Sequence, residues 1–130
     1  MTDKDALYLY RLTQAEETLA EAEKMIMENF GPRTIVNRAY YTMFYSLLAL
    51  FIKTGINPAT SKHRGVISLF DKEFVKTGKI DKYYSSILHS SFDNRLEGDY
   101  KEFTDLSIGD ASEAVKHAKE FMNEIKRMLG

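Results

Sequence analysis

The segment 33–54 constrains the fold more than any other part of the chain. It contains no glycine or proline, and its apolar residues leave little polar surface on any face of a helix. A helix that is apolar on nearly every side has to be buried among other elements or in a membrane. No run in the chain approaches the ~18 consecutive apolar residues of a membrane span. We therefore predict a water-soluble protein in which this helix is central and buried.

Four other segments carry apolar residues at helical spacing and end at residues that cap or break helices. The predicted helices cover about residues 3–30, 33–54, 61–76 and 80–96, and a last one runs from Ser107 to the C-terminus. Gly55 is expected to end the second helix in the left-handed conformation. Asp99 is expected to begin a polar loop just after Gly98. Ser107 and Asp110 have the spacing of a capping box at the start of the last helix.

The order of these segments predicts an all-α protein. No segment alternates apolar and polar residues as a half-buried strand does, and the short connections favour antiparallel neighbours. We expect an antiparallel up-and-down bundle of four long helices plus a shorter helix. A chain of 130 residues suits one core, so residues 1–130 are expected to form a single domain.

Composition excludes several classes of chemistry. Without cysteine there is no disulfide, thiol nucleophile or thiolate metal site. The first residues lack the basic-then-apolar order of a signal peptide, so a cytoplasmic location is expected. His63, His89 and His117 fall on three predicted helices without a paired spacing, so neither a metal nor a cofactor is expected. The net charge of −1 gives no footprint for bulk nucleic-acid binding.

One polar face interrupts the apolar second helix. Asn37, Tyr41 and Tyr45 lie at i, i+4 and i+8, with Arg38 beside them. Buried phenols and amides need hydrogen-bond partners. The face is therefore either an internal hydrogen-bond ladder that holds neighbouring helices in register or the floor of a polar pocket.

Two further groups of residues are candidates for anion binding. Arg95, Asp99 and Tyr100 follow one another at the end of the fourth helix, where they form either a structural clasp or a site for a phosphate or a base edge. His63 lies among possible cations at the start of the third helix. There the free backbone N–H groups suit an anion, although a capped and exposed first turn is the favoured interpretation of the segment.

Several of these segments together resemble the HEPN (higher eukaryotes and prokaryotes nucleotide-binding) domain family, in its small prokaryotic branch with an R-x-x-x-D-Y motif. The matching segments are residues 37–41 with 44–45, 62–63 with 65–67, 74–78, and 95 through 99–100. The resemblance implies a HEPN-like bundle, a homodimer whose interface groove is lined by the fourth-helix motif, and pairing with a minimal nucleotidyltransferase as toxin and antitoxin. In active members an Arg-x4–6-His motif cleaves RNA without a metal.

The chain departs from that motif at its catalytic end. Arg95 matches the arginine, but Tyr100, Lys101 and Glu102 stand where the histidine belongs. A phenol with an ordinary pKa near 10 is a poorer proton shuttle at neutral pH than an imidazole with a pKa near 6.5. We therefore expect a nucleotide- or RNA-binding interaction module, in which Tyr100 is by resemblance a candidate acceptor for nucleotide transfer. The alternatives are a metal-independent ribonuclease, with Arg95 and Tyr100 or a histidine of a second subunit as catalytic groups, and a purely structural bundle.

Overall fold

The fold is all-α, as predicted. The computed structural model describes the backbone of residues 2–100 and 106–130 and the side chains of residues 2–95 and 106–130. These residues form the helices α1 (Asp3–Met27), α2 (Pro32–Thr54), α3 (His63–Phe70), α4 (Lys82–Tyr100) and α5 (Ile108–Leu129). A π-helical segment, Asp71–Val75, continues α3. Within this part of the chain there is no strand, and four long helices with one short helix make the HEPN-like bundle.

Helix α2 is the centre of the bundle. It packs against α1, α4 and α5. One window of α2 is long and apolar enough to cross a membrane, but 67% of that window is buried inside the bundle. Tyr40, Met43, Leu47 and Leu50 are fully buried on this helix. Its apolar surface is therefore covered by the neighbouring helices, as its sequence indicated.

The ends of the helices follow the predicted capping chemistry at two places. The Ser107 side chain accepts a hydrogen bond from the backbone N–H of Asp110, and the Asp110 carboxylate accepts one from the backbone N–H of Ser107, which is a complete capping box. Gly55 ends α2 with φ 76°, a conformation in which a β-carbon is strained. At the end of α1 the left-handed residue is Asn29, with φ 61°, so this helix stops before Gly31.

The predicted ends of the fourth and third helices differ most from the structure. Asp99 does not begin a loop, because α4 continues through Gly98 to Tyr100. A single glycine costs a helix only about 1 kcal/mol relative to alanine and does not end it unaided. The predicted helix 61–76 is divided into α3 and the π-helical segment. There the Asp71 carboxylate binds Ser85 and His89 of α4, which ties the wider turn to the bundle.

Candidate functional site

His63 and Tyr40 form the hydrogen bond around which the candidate site is built. Tyr40 comes from α2 and is fully buried, whereas His63 is the first residue of α3 and is partly exposed. The Tyr40 hydroxyl lies 2.7 Å from Nδ1 of His63. Because Tyr40 is held inside the core, this bond fixes the start of α3, and with it the imidazole ring, against α2.

Aromatic rings surround the imidazole. The His63 ring stacks on Phe44 with a centroid separation of 3.9 Å and lies 5.8 Å from Tyr41. Phe92 of α4 brings a further ring to 5.7 Å from Tyr40. Phe44 and Phe92 are 7% and 6% exposed, so their faces are already covered by other side chains.

Two arginines lie on these buried rings. The guanidinium carbon of Arg95 is 5.0 Å from the Tyr40 ring centroid and 5.4 Å from that of Phe92. Arg64 lies 5.5 Å from the same Phe92 ring. We call this group of side chains the arginine–aromatic cluster. Its members are Tyr40, Tyr41, Phe44, His63, Arg64, Phe92 and Arg95. Cation–π attraction of this kind favours these positions of the guanidinium groups on the ring faces.

The electrostatics of the cluster favour neutral rings next to fixed cations. Burial, and after it the nearby Arg95 guanidinium, lower the pKa of His63. Burial raises the pKa of the Tyr40 phenol, although Arg95 acts in the opposite direction. At neutral pH the phenol is therefore protonated and the imidazole uncharged. The positive charge of the cluster comes from Arg64 and Arg95.

The structure brings together some of the residues predicted from the sequence. Arg95 and His63 lie in one cluster although they come from different helices, and Tyr41 is at its edge. The side chains of Asp99 and Tyr100 lie outside the described residues. The proposed clasp between Arg95 and Asp99 is therefore a prediction still.

In the part of the chain that the structure describes, the polar face of α2 is held by ring contacts and not by a ladder of hydrogen bonds. Tyr41 and Tyr45 contact each other through their rings, with centroids 5.7 Å apart. Among the described side chains, no hydrogen bond joins either ring to Asn37. Arg38 lies over the Tyr41 ring and 3.7 Å from the Glu21 carboxylate of α1. Arg38 and Tyr45 line a groove of about 430 Å³ between α1 and α2, so this face supplies a groove wall.

Sequence reasoning missed three aromatic residues of the cluster, which are Tyr40, Phe44 and Phe92. Tyr40 was not distinguished from the other apolar residues of α2, although it shares a helix face with Phe44 at i, i+4. Phe92 lies three residues before Arg95 and therefore on the same side of α4. Arg64, which follows His63 directly, was among the possible cations predicted at the start of the third helix. The spacing of Phe92 and Arg95 is the signal that was present in the sequence.

Known proteins resemble the chain over nearly its whole length. Residues 8–128 match the family model of the HEPN domain. The UPF0332 protein of Thermotoga maritima is 33% identical over 129 residues, which cover 99% of this chain and 96% of that protein. Two proteins of Methanocaldococcus jannaschii, each named "Putative toxin", are 38% and 30% identical. Those two matches cover 88% and 91% of this chain and 83% and 78% of the relatives.

Proposed function

Since the chain belongs to the HEPN domain family, we propose that it is a toxin-type HEPN module that binds the phosphates of a nucleotide or an RNA at its arginine–aromatic cluster. The observation that carries this proposal is the position of Arg95 and Arg64 over one buried ring, beside the imidazole of His63. Asp99 and Tyr100 complete the site in this proposal.

The arrangement suits phosphate better than it suits a stacked base. The faces of Phe44 and Phe92 are already occupied by His63 and by the guanidinium groups, so they do not offer an open platform to a nucleobase. A guanidinium group can bind a phosphate through two parallel N–H···O bonds while its face lies on an aromatic ring. Because its side chain is already ordered, little conformational entropy remains to be lost on binding.

The proposal is tested by calorimetric titration with AMP and ATP and by fluorescence anisotropy with a labelled single-stranded RNA, in EDTA. We expect Arg95→Ala to weaken binding at least about tenfold, because a hydrogen bond to a charged group contributes roughly 1.5–3 kcal/mol.

Arg127→Ala is the matched control. It removes the same charge from α5, where Arg127 is paired with Glu124. This pair lies near Asp81 and Tyr84 at the start of α4, the opposite end of that helix from Arg95. The Arg127→Ala variant should bind like the wild type. Equal binding by wild type and Arg95→Ala, or equal weakening in both variants, would contradict the proposal.

A metal-independent ribonuclease is the second candidate, which the nearness of His63 to Arg95 favours and which requires this imidazole to exchange a proton with the substrate. The motif histidine is absent after Arg95, but α3 supplies another imidazole next to this arginine. Incubation of the purified protein with tRNA in EDTA separates the two candidates. Cleavage that is lost in both Arg95→Ala and His63→Leu would establish the ribonuclease and displace binding alone.

We also propose that the protein works as a homodimer and that a minimal nucleotidyltransferase is its antitoxin, with Tyr100 as the acceptor of a transferred nucleotide. The names of the two Methanocaldococcus relatives support a toxin context. Co-expression tests the pairing. Growth arrest caused by this chain should be relieved when the nucleotidyltransferase is expressed with it. Growth arrest caused by the Tyr100→Phe variant should persist in the presence of the same nucleotidyltransferase. Relief that is unchanged in Tyr100→Phe would exclude modification at this position.

A further inference from the structure

The direction of the hydrogen bond between Tyr40 and His63 decides what the imidazole can do. A buried hydroxyl has to donate its proton to an acceptor. Among the described side chains, the hydroxyl of Tyr40 has its hydrogen bond with Nδ1 of His63, at 2.7 Å. If Nδ1 carried the proton, the phenol would accept the bond and its own hydrogen would need another acceptor there. The phenol therefore donates and Nδ1 accepts.

The protonation states of both groups agree with this direction. Burial raises the pKa of the Tyr40 phenol, so the phenol keeps its proton at neutral pH. Burial and Arg95 lower the pKa of His63, so the imidazole is neutral. A neutral imidazole carries one proton, and when Nδ1 accepts, that proton is on Nε2. Among the described side chains, the titratable groups that face the ring are Tyr40 and Tyr41 from α2 and Arg95 from α4.

We propose that Tyr40 holds His63 as the Nε2–H tautomer, and that this N–H donates a hydrogen bond to a phosphate oxygen bound by Arg95. Tyr40 is a positioning residue and His63 a ligand-binding residue. The ligand class is a phosphate monoester or diester, recognised by one neutral donor beside two guanidinium groups. The ligand role rests on the proposed function of the cluster, whereas the tautomer is a property of the protein alone.

The proposal assigns His63 a role that differs from general-base catalysis. A base needs a free lone pair on the nitrogen that faces the substrate. With Nδ1 bonded to the phenol and Nε2 protonated, neither nitrogen offers one. The imidazole therefore strengthens phosphate binding without removing a proton from the ribose, and it does not restore the missing motif histidine as a base.

The tautomer is read directly from the ring ¹⁵N chemical shifts of His63 in the uniformly labelled wild-type protein at pH 7.5. We expect Nε2 to show the shift of a protonated nitrogen and Nδ1 that of an unprotonated acceptor. In Tyr40→Phe the two shifts should move towards the average of a mixed population. Protonated Nδ1 in the wild type would overturn the proposal whatever the protein binds.

The ligand role is tested with AMP and inorganic phosphate as probes. We expect His63→Leu to bind AMP about fivefold to tenfold more weakly, which corresponds to one neutral hydrogen bond. His63→Gln keeps an N–H donor and should lie within about threefold of the wild type. Circular dichroism establishes that each variant is folded.

The outcomes separate this inference from the proposed function. If the wild type binds neither probe nor RNA, the proposed function fails and the ligand role of His63 fails with it. If the wild type binds and Arg95→Ala does not, but His63→Leu binds as tightly as the wild type, the cluster is a phosphate site and only the role of His63 is wrong.

Discussion

At the scale of single residues, the protein places an uncharged histidine where neighbouring guanidinium groups would repel a charged one. His63 lies near Arg95 and is partly buried, and both effects disfavour the imidazolium ion. The buried phenol of Tyr40 compensates by giving the neutral ring a hydrogen bond. The same three side chains therefore connect the stability of the bundle with the chemistry of the site.

This connection predicts a pH dependence of stability. The pKa of His63 is lowered in the folded protein, so the unfolded chain binds more protons in the interval below the ordinary pKa of about 6.5. The contribution of His63 is complete above that pH and is lost as the pH falls through the folded-state value. We expect the thermal midpoint of the wild type to decrease between pH 7 and pH 5.

His63→Gln is the variant that isolates this effect. Its thermal midpoint should change less over the same interval, because the titrating group is gone while the carboxylates remain. Parallel decreases in both proteins would show that other groups account for the pH dependence.

At the scale of helices, a capping motif predicted a helix boundary correctly, whereas a glycine did not. The capping box of α5 was visible in the sequence because it needs only Ser107 and Asp110 at a fixed spacing. The end of α4 was not, because Gly98 is compatible with both a cap and a helix interior. The π-helical turn is accompanied by hydrogen bonds from Asp71 to Ser85 and His89 of another helix. Because these partners are distant in the chain, no local sequence pattern predicts the turn.

The capping box provides a test at this scale. Ser107→Ala removes the side-chain acceptor for the first turn of α5, so we expect a loss of about 1 kcal/mol in the free energy of unfolding, measured by urea denaturation. Ser112→Ala is the control, since Ser112 is an exposed residue inside the same helix and alanine is the better helix former. Equal effects of the two changes would mean that the cap does not stabilise the protein.

The carboxylate of Asp110 in this capping box makes the stability of the protein depend on pH. Hydrogen bonds from the backbone and side chain of Ser107 lower the pKa of Asp110. The stabilisation from this carboxylate is present above its unfolded pKa of about 3.9 and is lost as the pH falls through the lower folded value. Asp110→Asn should therefore weaken the protein more at pH 7 than at pH 2.5.

At the scale of the whole molecule, the bundle was predictable and the cluster was not. The apolar faces of α2 and α5 predict which sides of these helices are buried, and Phe121 and Ile125 of α5 are fully buried as their spacing requires. The cluster depends on α3 and α4 meeting over Tyr40, a contact between residues far apart in the chain. The sequence indicated Arg95 and His63 separately, and only the tertiary structure brings them together.

The assembly of the whole molecule can be measured directly. The resemblance to HEPN proteins implies a homodimer, and several large apolar side chains of α1 and its end are exposed, among them Tyr10 and Met27. Light scattering coupled to size exclusion should give about twice the 15.0 kDa mass of one chain. A monomeric mass at micromolar concentration would exclude the dimer and would confine the phosphate site to one subunit.

The salt dependence of RNA binding is the decisive measurement for a phosphate site at Arg95, because such a site releases counterions in proportion to the phosphates it contacts. For a single-stranded RNA in EDTA, the logarithm of the affinity should fall linearly with the logarithm of the salt concentration. The slope should become shallower by about 0.7 in Arg95→Ala and stay unchanged in Arg127→Ala. A wild-type slope near zero, or the same slope in all three proteins, would contradict a phosphate site at Arg95.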